Sequence, residues 1–252
     1  MPVRHTMEWF EDPAFWETFF PYIFSDERLR FAPDDVERVI TLVGAPAPQD
    51  VLDLACGTGR HAAAFARKGW RVTGVDRTRA ALDAARTHAE QAGLDIEFVE
   101  CDMREFRRPA SFDLIVNLFT SFGYFEDPAD DVRVLRNMHE ALRPGGALVI
   151  DVMGKEVLAR VLQETRSTVA SDGTLMIWRT ATAADWTRVN GEWYAIKAGI
   201  VRSFRVDHSI YSGAELRALL GRAGFSGVRL YGDLDAHEYG IAASRLVAVA
   251  RK

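Results

Sequence analysis

From residue 51 onward the chain alternates short apolar runs with amphipathic stretches. Val51–Ala55, Trp70–Val75, Ile96–Val99, Phe112–Val116 and Ala147–Val152 are almost continuously apolar, which predicts strands buried on both faces. Arg60–Arg67, Arg79–Gln91 and Asp130–Leu142 carry apolar residues at helical spacing and predict the helices between them. The link Arg104–Ser111 is too short for a full helix, and Arg143-Pro144-Gly145-Gly146 is expected to end the helix before it. Ser212–Ala223 predicts a helix opening on a capping box of Ser212 and Glu215 and stopping at Gly224. Val228–Tyr231 and Arg245–Ala250 predict two last strands, joined by the loop Asp233–Gly240. This alternation predicts an α/β fold, a doubly wound and mostly parallel sheet with both faces covered.

Two segments depart from that rhythm. Residues 7 to 31 hold Trp9, Phe10, Phe15, Trp16, Phe19, Phe20, Tyr22, Phe24 and Phe31, with Phe15, Phe19 and Tyr22 at helical spacing. A helix apolar over much of its surface is predicted, either packed on the main domain or closing an active site as a lid. Asp34–Val43 predicts a second helix beginning after Pro33, with Gly44-Ala45-Pro46-Ala47-Pro48 as linker. Between residues 165 and 210, Leu175-Met176-Ile177-Trp178, Thr187-Arg188-Val189, Trp193-Tyr194-Ala195-Ile196 and Ile200–Val206 are rich in β-branched and aromatic residues. Asn190-Gly191 predicts a tight hairpin between two of them. The organisation expected is an N-terminal helical cap (1–47), a core (48–163 and 211–252) and an antiparallel β insertion (164–210) serving as a substrate lid.

Composition narrows the partners. A formal charge of −5, from 31 basic and 36 acidic residues, gives no basic footprint for nucleic acid. The two cysteines, Cys56 and Cys101, have no partners at metal-ligand spacing, so no metal is expected and a reducing compartment fits best. Met1–Thr6 lead into acids and aromatics rather than an apolar leader, and no run approaches the roughly 20 apolar residues of a membrane span. A soluble, cytoplasmic protein is the expectation; the oligomeric state is not legible.

The candidate chemistry begins at Asp53-Leu54-Ala55-Cys56-Gly57-Thr58-Gly59-Arg60-His61-Ala62. A strand here ends in a glycine turn, and the free N–H groups opening the next helix offer hydrogen bonds to a ligand. Gly57-x-Gly59-x-x-Ala62 meets the loose dinucleotide pattern, and Asp76 ends the second strand, where a carboxylate would accept from ribose hydroxyls. Asp53 and Asp102 then argue against a diphosphate: so many acids suit an adenosine with a cationic end. Asp102 is placed to receive an exocyclic amine. Duller roles stand beside these: Asp76 as a helix N-terminal acid before Thr78, Asp102 as a turn residue, the cysteines as packing.

Asp53–Gly59, Val75-Asp76, Cys101-Asp102-Met103, Phe112–Ile115 and Leu142–Gly146, in that order, resemble the motifs of class I S-adenosylmethionine-dependent methyltransferases of the small-molecule type. The resemblance covers about residues 50 to 152. It implies a seven-stranded, Rossmann-like sheet of order 3-2-1-4-5-7-6 with the last strand antiparallel, and S-adenosylmethionine as cofactor with S-adenosylhomocysteine as product. It implies that Ala55, Gly57 and Gly59 lie along the methionine end and that Asp76 takes the ribose diol with Arg77 beside it. It further implies that Cys101, Asp102 and Met103 border the adenine and that Asn117 and Leu118 border the sulfonium. His61 is placed near the cofactor because it opens the helix after the glycine loop.

Transfer of a methyl group from a sulfonium needs alignment and exclusion of water more than it needs a base, so few catalytic residues are expected. Candidate bases are His208, His237, Tyr211 and Tyr239. The acceptor wall is expected from Phe119, Thr120, Ser121, Phe122 and Tyr124, with Trp9, Phe10, Phe19, Trp178, Trp186, Trp193, Tyr194 and Arg202 as covers. Asn117-Leu118-Phe119-Thr120 lacks the Asn/Asp-Pro-Pro-Tyr/Phe pattern of relatives acting on base amines, which with the charge balance favours a small-molecule acceptor at O or N. The rival readings are a nicotinamide oxidoreductase, disfavoured by the three acids and the absence of a Tyr-x-x-x-Lys pair, and a non-catalytic cofactor-binding module.

Overall fold

The computed structural model describes residues 7–45 and 49–252, the side chains of 26–29 excepted; Met1–Thr6 and the linker residues Pro46-Ala47-Pro48 lie outside the described residues. A 3-10 turn, Trp9–Glu11, leads into α1 (Pro13–Ile23) and α2 (Asp26–Val43). Next come β1 (Asp50–Leu54), α3 (Arg60–Arg67), β2 (Arg71–Asp76), α4 (Arg79–Gln91), β3 (Ile96–Glu100), β4 (Phe112–Asn117), α5 (Pro128–Ala141), β5 (Leu142–Val152) and α6 (Lys155–Val161). A run of four strands follows: β6 (Thr165–Val169), β7 (Leu175–Thr182), β8 (Arg188–Lys197) and β9 (Ile200–Ser209). The chain closes with α7 (Gly213–Arg222), β10 (Ser226–Tyr231) and β11 (Leu246–Arg251).

The main sheet has the order β10-β11-β5-β4-β1-β2-β3. Its five strands from β5 to β3 are parallel, while β11 runs antiparallel to both β5 and β10. This is the expected 3-2-1-4-5-7-6 arrangement. Because successive side chains point to opposite faces, Leu52, Leu54, Ile115 and Ile150 pack with Leu135 and Met138 of α5 and Leu216 and Leu220 of α7. Val51, Val72, Val116 and Val149 pack on the other face against Val36 and Val39 of α2 and Phe65 of α3. Strand order reverses between β1 and β4, and α/β sheets open a crevice at such a switch point.

The second sheet, β6-β7-β8-β9, is antiparallel throughout. The aromatic helix α1 lies on this sheet rather than on the main one. Phe15 and Phe19, both fully buried, pack with Met176, Ala195 and Val206. Their rings lie within 6 Å of Trp193 and Phe204, in edge-on or tilted contacts.

Three expectations are corrected. α2 begins at Asp26, not after Pro33, and runs through that proline. Burial of Ala32, Val36, Val39 and Val43 along one stripe outweighs the roughly 3 kcal/mol cost of an interior proline. β5 begins at Leu142, so Arg143-Pro144-Gly145-Gly146 lies inside a strand, where the pairing with β4 shifts register. Asn190-Gly191 is no hairpin: both residues sit inside β8, opposite Ala181 and Thr180 on one side and Asp207 and Val206 on the other. The turn is at Ala198-Gly199, whose φ angles of 50° and 79° suit a two-residue loop. Gly191 serves close approach instead, since a Cβ there would lie 2.8 Å from the carbonyl oxygen of Val206.

Candidate active site

A cavity of about 140 Å³ opens at the C-terminal ends of β1, β2, β3 and β4, lined by Asp53, Asp76 and Asp102 from three successive strand tips. Ala55 leaves β1 with φ 64° and Gly57 follows with φ 55°. A Cβ at Gly57 would come within 2.5 Å of the Phe24 ring that roofs it, so with its positive φ the position favours glycine. The Gly57 amide donates to Asp76 Oδ2 at 2.8 Å, and the Thr78 amide donates to Oδ1 at 2.8 Å. Burial nevertheless raises the Asp76 carboxyl above its ordinary range. Asp53 accepts from the Ala62 amide in the first turn of α3 at 3.1 Å, and burial pushes it up to about 6. Two carboxyls raised by burial thus face the same space.

On the β3 side, Arg104 closes a fork on Asp102, with Nη2 to Oδ2 at 2.8 Å and Nε to Oδ1 at 3.0 Å. Burial alone would raise the Asp102 carboxyl, but these bonds outweigh it and hold it below the usual range. The turn at Trp9–Glu11 is strapped across this edge. Glu8 accepts from Arg104 at 3.1 Å and from the Glu126 amide at 3.0 Å, and Glu11 accepts from Arg77 at 2.9 Å. The Phe10 ring beneath the Arg77 guanidinium, 5.0 Å from its centroid, also lines the cavity. Trp9 Nε1 donates to the Asp207 carbonyl at 2.8 Å, tying the strap to β9.

Beyond β4 the backbone is strained. Phe119 and Thr120, neither a glycine, both have φ near 61°. Asp151, buried at the end of β5, holds them there: its Oδ2 accepts from the Phe119 amide at 3.0 Å and its carbonyl from the Thr120 amide at 2.9 Å. Arg245 completes the clamp, donating to Asp151 Oδ1 at 2.6 Å and Thr120 Oγ1 at 3.0 Å. The Phe119 ring is thereby held with the Arg60 guanidinium 3.9 Å from its centroid and the His61 ring stacked on it at 5.4 Å.

Phe119, Tyr124, Trp16 and Ile23 line this cavity and also a second one of about 560 Å³, between α1, the antiparallel sheet and α6. The second cavity is walled by Trp9, Phe15, Trp178 and Trp193, with His208 facing it. Burial lowers the His208 imidazole to about 4, and the Arg188 charge adds to this. The imidazole is neutral at neutral pH.

Most sequence-picked positions meet here. Ala55, Gly57, His61, Asp76, Arg77, Cys101, Asp102, Met103, Leu118, Phe10, Phe119, Ser121 and Tyr124 line the first cavity. Trp9, Thr120, Trp178, Trp193 and His208 line the second. Others do not, and each for a visible reason. Gly59 faces Phe98 and Ala85, where a Cβ would crowd helix–strand packing. Asn117 is fully buried and donates to the Leu54 carbonyl at 2.9 Å, joining two strand tips. Phe19 fills the α1–sheet core and Phe122 lies under Tyr211. Arg202 is exposed, Tyr194 donates to Glu192, and Trp186 lines neither cavity. Among the bases, Tyr211 donates to Asp131, Tyr239 to Glu156, and His237 pairs with Asp233 on the surface. Sequence reasoning missed the Asp151–Arg245 clamp, Arg104 and the Glu8–Glu11 strap; only the two glutamates beside Trp9-Phe10 gave any signal.

Residues 51–146 match the family model of the methyltransferase domain. Over those residues the chain is similar to methyltransferase domains. Over 125 residues it is 34% identical to the ubiquinone biosynthesis O-methyltransferase of Coxiella burnetii (strain Dugway 5J108-111), covering 49% of this chain and 50% of that one. The chain spans from half to just under two thirds of the length of the curated relatives it matches. Among solved structures, an S-adenosylmethionine-dependent methyltransferase from Clostridium acetobutylicum ATCC 824 is 18% identical, with TM-score 0.76 over 94% of this chain and 97% of that one. CalS10, an amino pentose methyltransferase from Micromonospora echinaspora solved with S-adenosylmethionine bound, is 23% identical, with TM-score 0.68 over 94% and 95%. At such identities these structures establish the fold. Among the described residues no group of His, Cys, Asp and Glu side chains is arranged to hold a metal, and no helix is long and apolar enough to cross a membrane.

Proposed function

We propose that the chain transfers a methyl group from S-adenosylmethionine to an O or N atom of a small molecule, with the cofactor in the first cavity and the acceptor in the second. The observation that carries this reading is the shared wall: Phe119, Tyr124, Trp16 and Ile23 belong to both cavities, so donor and acceptor would meet across it. The first cavity suits the cofactor because three carboxylates and a glycine cradle face it, and because carboxylates favour a cation where they would repel a diphosphate.

When bound, the cofactor supplies a methyl group activated by its sulfonium charge. Asp76 would accept from the ribose hydroxyls, with Arg77 beside it. Cys101 and Met103 would border the adenine, whose amine would share Asp102 with Arg104. Ala55, Gly57 and His61 would hold the methionine end, and Leu118 and Phe119 would border the sulfur. The Asp151–Arg245 clamp acts before the reaction, fixing the Phe119 ring so that the acceptor approaches in line. Trp9, Trp16 and the antiparallel sheet exclude water. An acceptor hydroxyl or amine held in the second cavity would meet the neutral His208 imidazole, which would take its proton. In this reading the Trp9–Glu11 strap and α1 are the cap and the sheet of 164–210 is the lid, while α2 belongs with the core of 48–163 and 211–252 because Val36 and Val39 pack on the main sheet. A crystal structure with S-adenosylhomocysteine tests the reading: its sulfur should face the Phe119–Tyr124 wall, and a sulfur directed away from the second cavity would contradict it.

A further inference from the structure

We infer that the acceptor is a planar aromatic molecule bearing a hydroxyl to be methylated and, at its far end, an anionic group read by Arg166. This rests on the second cavity being the acceptor chamber and adds the class of molecule it takes. The chamber has a direction. Phe119 and Tyr124 stand at the inner wall, His208 lies beside Tyr124 with ring centroids 6.5 Å apart, and the exposed Arg166 stands at the outer rim. The Trp178 and Trp193 rings, edge to face with centroids 6.2 Å apart, also line the chamber. Walls of this kind bury flat apolar rings, and a slim molecule would span from His208 to Arg166.

Charge decides which ring. No carboxylate is present among the described lining residues of this chamber, in contrast to the three that face the first cavity. A protonated amine would leave water with no counter-charge, a cost that cation–π contact offsets by only about 2 kcal/mol. The cation seat on Trp178 is also already taken: the Arg166 guanidinium lies 4.9 Å from that ring. Arg166 has no ion pair among the described residues, so its planar donor fork is free for a carboxylate or similar anion. At the other end a phenolic hydroxyl is neutral on entry and meets an imidazole that carries no proton to spare.

Three para-substituted phenols of matched size separate the possibilities: 3-(4-hydroxyphenyl)propionate, 4-ethylphenol and tyramine. Their dissociation constants are read from tryptophan fluorescence, with and without S-adenosylhomocysteine, whose own binding is measured by calorimetry on the same protein. The propionate should bind about tenfold more tightly than 4-ethylphenol, with tyramine weakest, as one charge-assisted pair implies. Arg166→Gln should remove most of that advantage and leave 4-ethylphenol unchanged. Tyramine binding as tightly as the propionate, no binding of any of the three, or an advantage untouched by Arg166→Gln would overturn the inference. S-adenosylhomocysteine binding together with any of these results leaves methyl transfer standing. The reverse pattern, acid preference without S-adenosylhomocysteine binding, overturns methyl transfer and keeps the ligand class.

Discussion

His208 faces the second cavity, and burial lowers its imidazole to about 4. A histidine whose pKa falls on folding is neutral down to that lowered value, so the acid limb of kcat/KM should lie near pH 4 rather than at the ordinary 6.5. His208→Gln should lower kcat by about a hundredfold with little change in KM, the range expected for a lost general base. A variant with unchanged kcat would leave His208 a wall residue. Asp53 gives a second test with the opposite sign. Burial raises it from 3.8 to about 6, so the folded protein keeps a proton that the unfolded chain has lost, and Asp53's contribution to stability falls away as pH rises through 6. Above that pH the ionised Asp53 faces the cavity. The affinity for cationic S-adenosylmethionine relative to neutral S-adenosylhomocysteine should therefore rise several-fold between about pH 5 and pH 8, within the tenfold per pKa unit that linkage permits. A ratio flat with pH, measured by calorimetry, would remove Asp53 from the neighbourhood of the charge.

Helix α1 and the sheet β6–β9 stabilise each other, since α1 buries its aromatic stripe on that sheet. Phe15→Ala should cost about 3–5 kcal/mol, as for other fully buried phenylalanines, and lower the melting temperature accordingly. A loss below about 1 kcal/mol would mean that the helix is not docked there. Elements were legible wherever periodicity was strong: Arg60–Arg67 and Arg79–Gln91 emerge with the boundaries their patterns suggest, as does the capping box at Ser212. Local signals failed where packing overrode them. Pro33 looks like a start signal, yet a stripe of buried valines carries α2 through it. Asn190-Gly191 looks like a turn, yet Gly191 is there because the Val206 carbonyl approaches closely, and the actual turn uses Ala198, which no turn propensity singles out.

Across the whole molecule, the strand tips that make the first cavity were readable because Asp76 and Asp102 follow apolar runs and Asp53 stands within one just before the glycines: the three converge as their positions imply. What converges on them from a distance was not. Arg104 comes from the short β3–β4 link, Glu8 and Glu11 from the N-terminal strap, and Arg245 from the residue just before β11, and no local pattern ties these to the glycine loop. The same holds for the left-handed Phe119-Thr120 pair, which lacks the glycine that usually marks such geometry and is held instead by Asp151. The central claim is that these tips hold the adenosine of a sulfonium cofactor, and calorimetric titration of S-adenosylhomocysteine into the protein and into Asp76→Ala tests it most directly. The protein should bind one equivalent, and the variant should bind at least about tenfold more weakly, as loss of a charge-assisted hydrogen bond of about 1.5 kcal/mol or more requires. No binding to the protein, or equal affinity in the variant, would contradict the account.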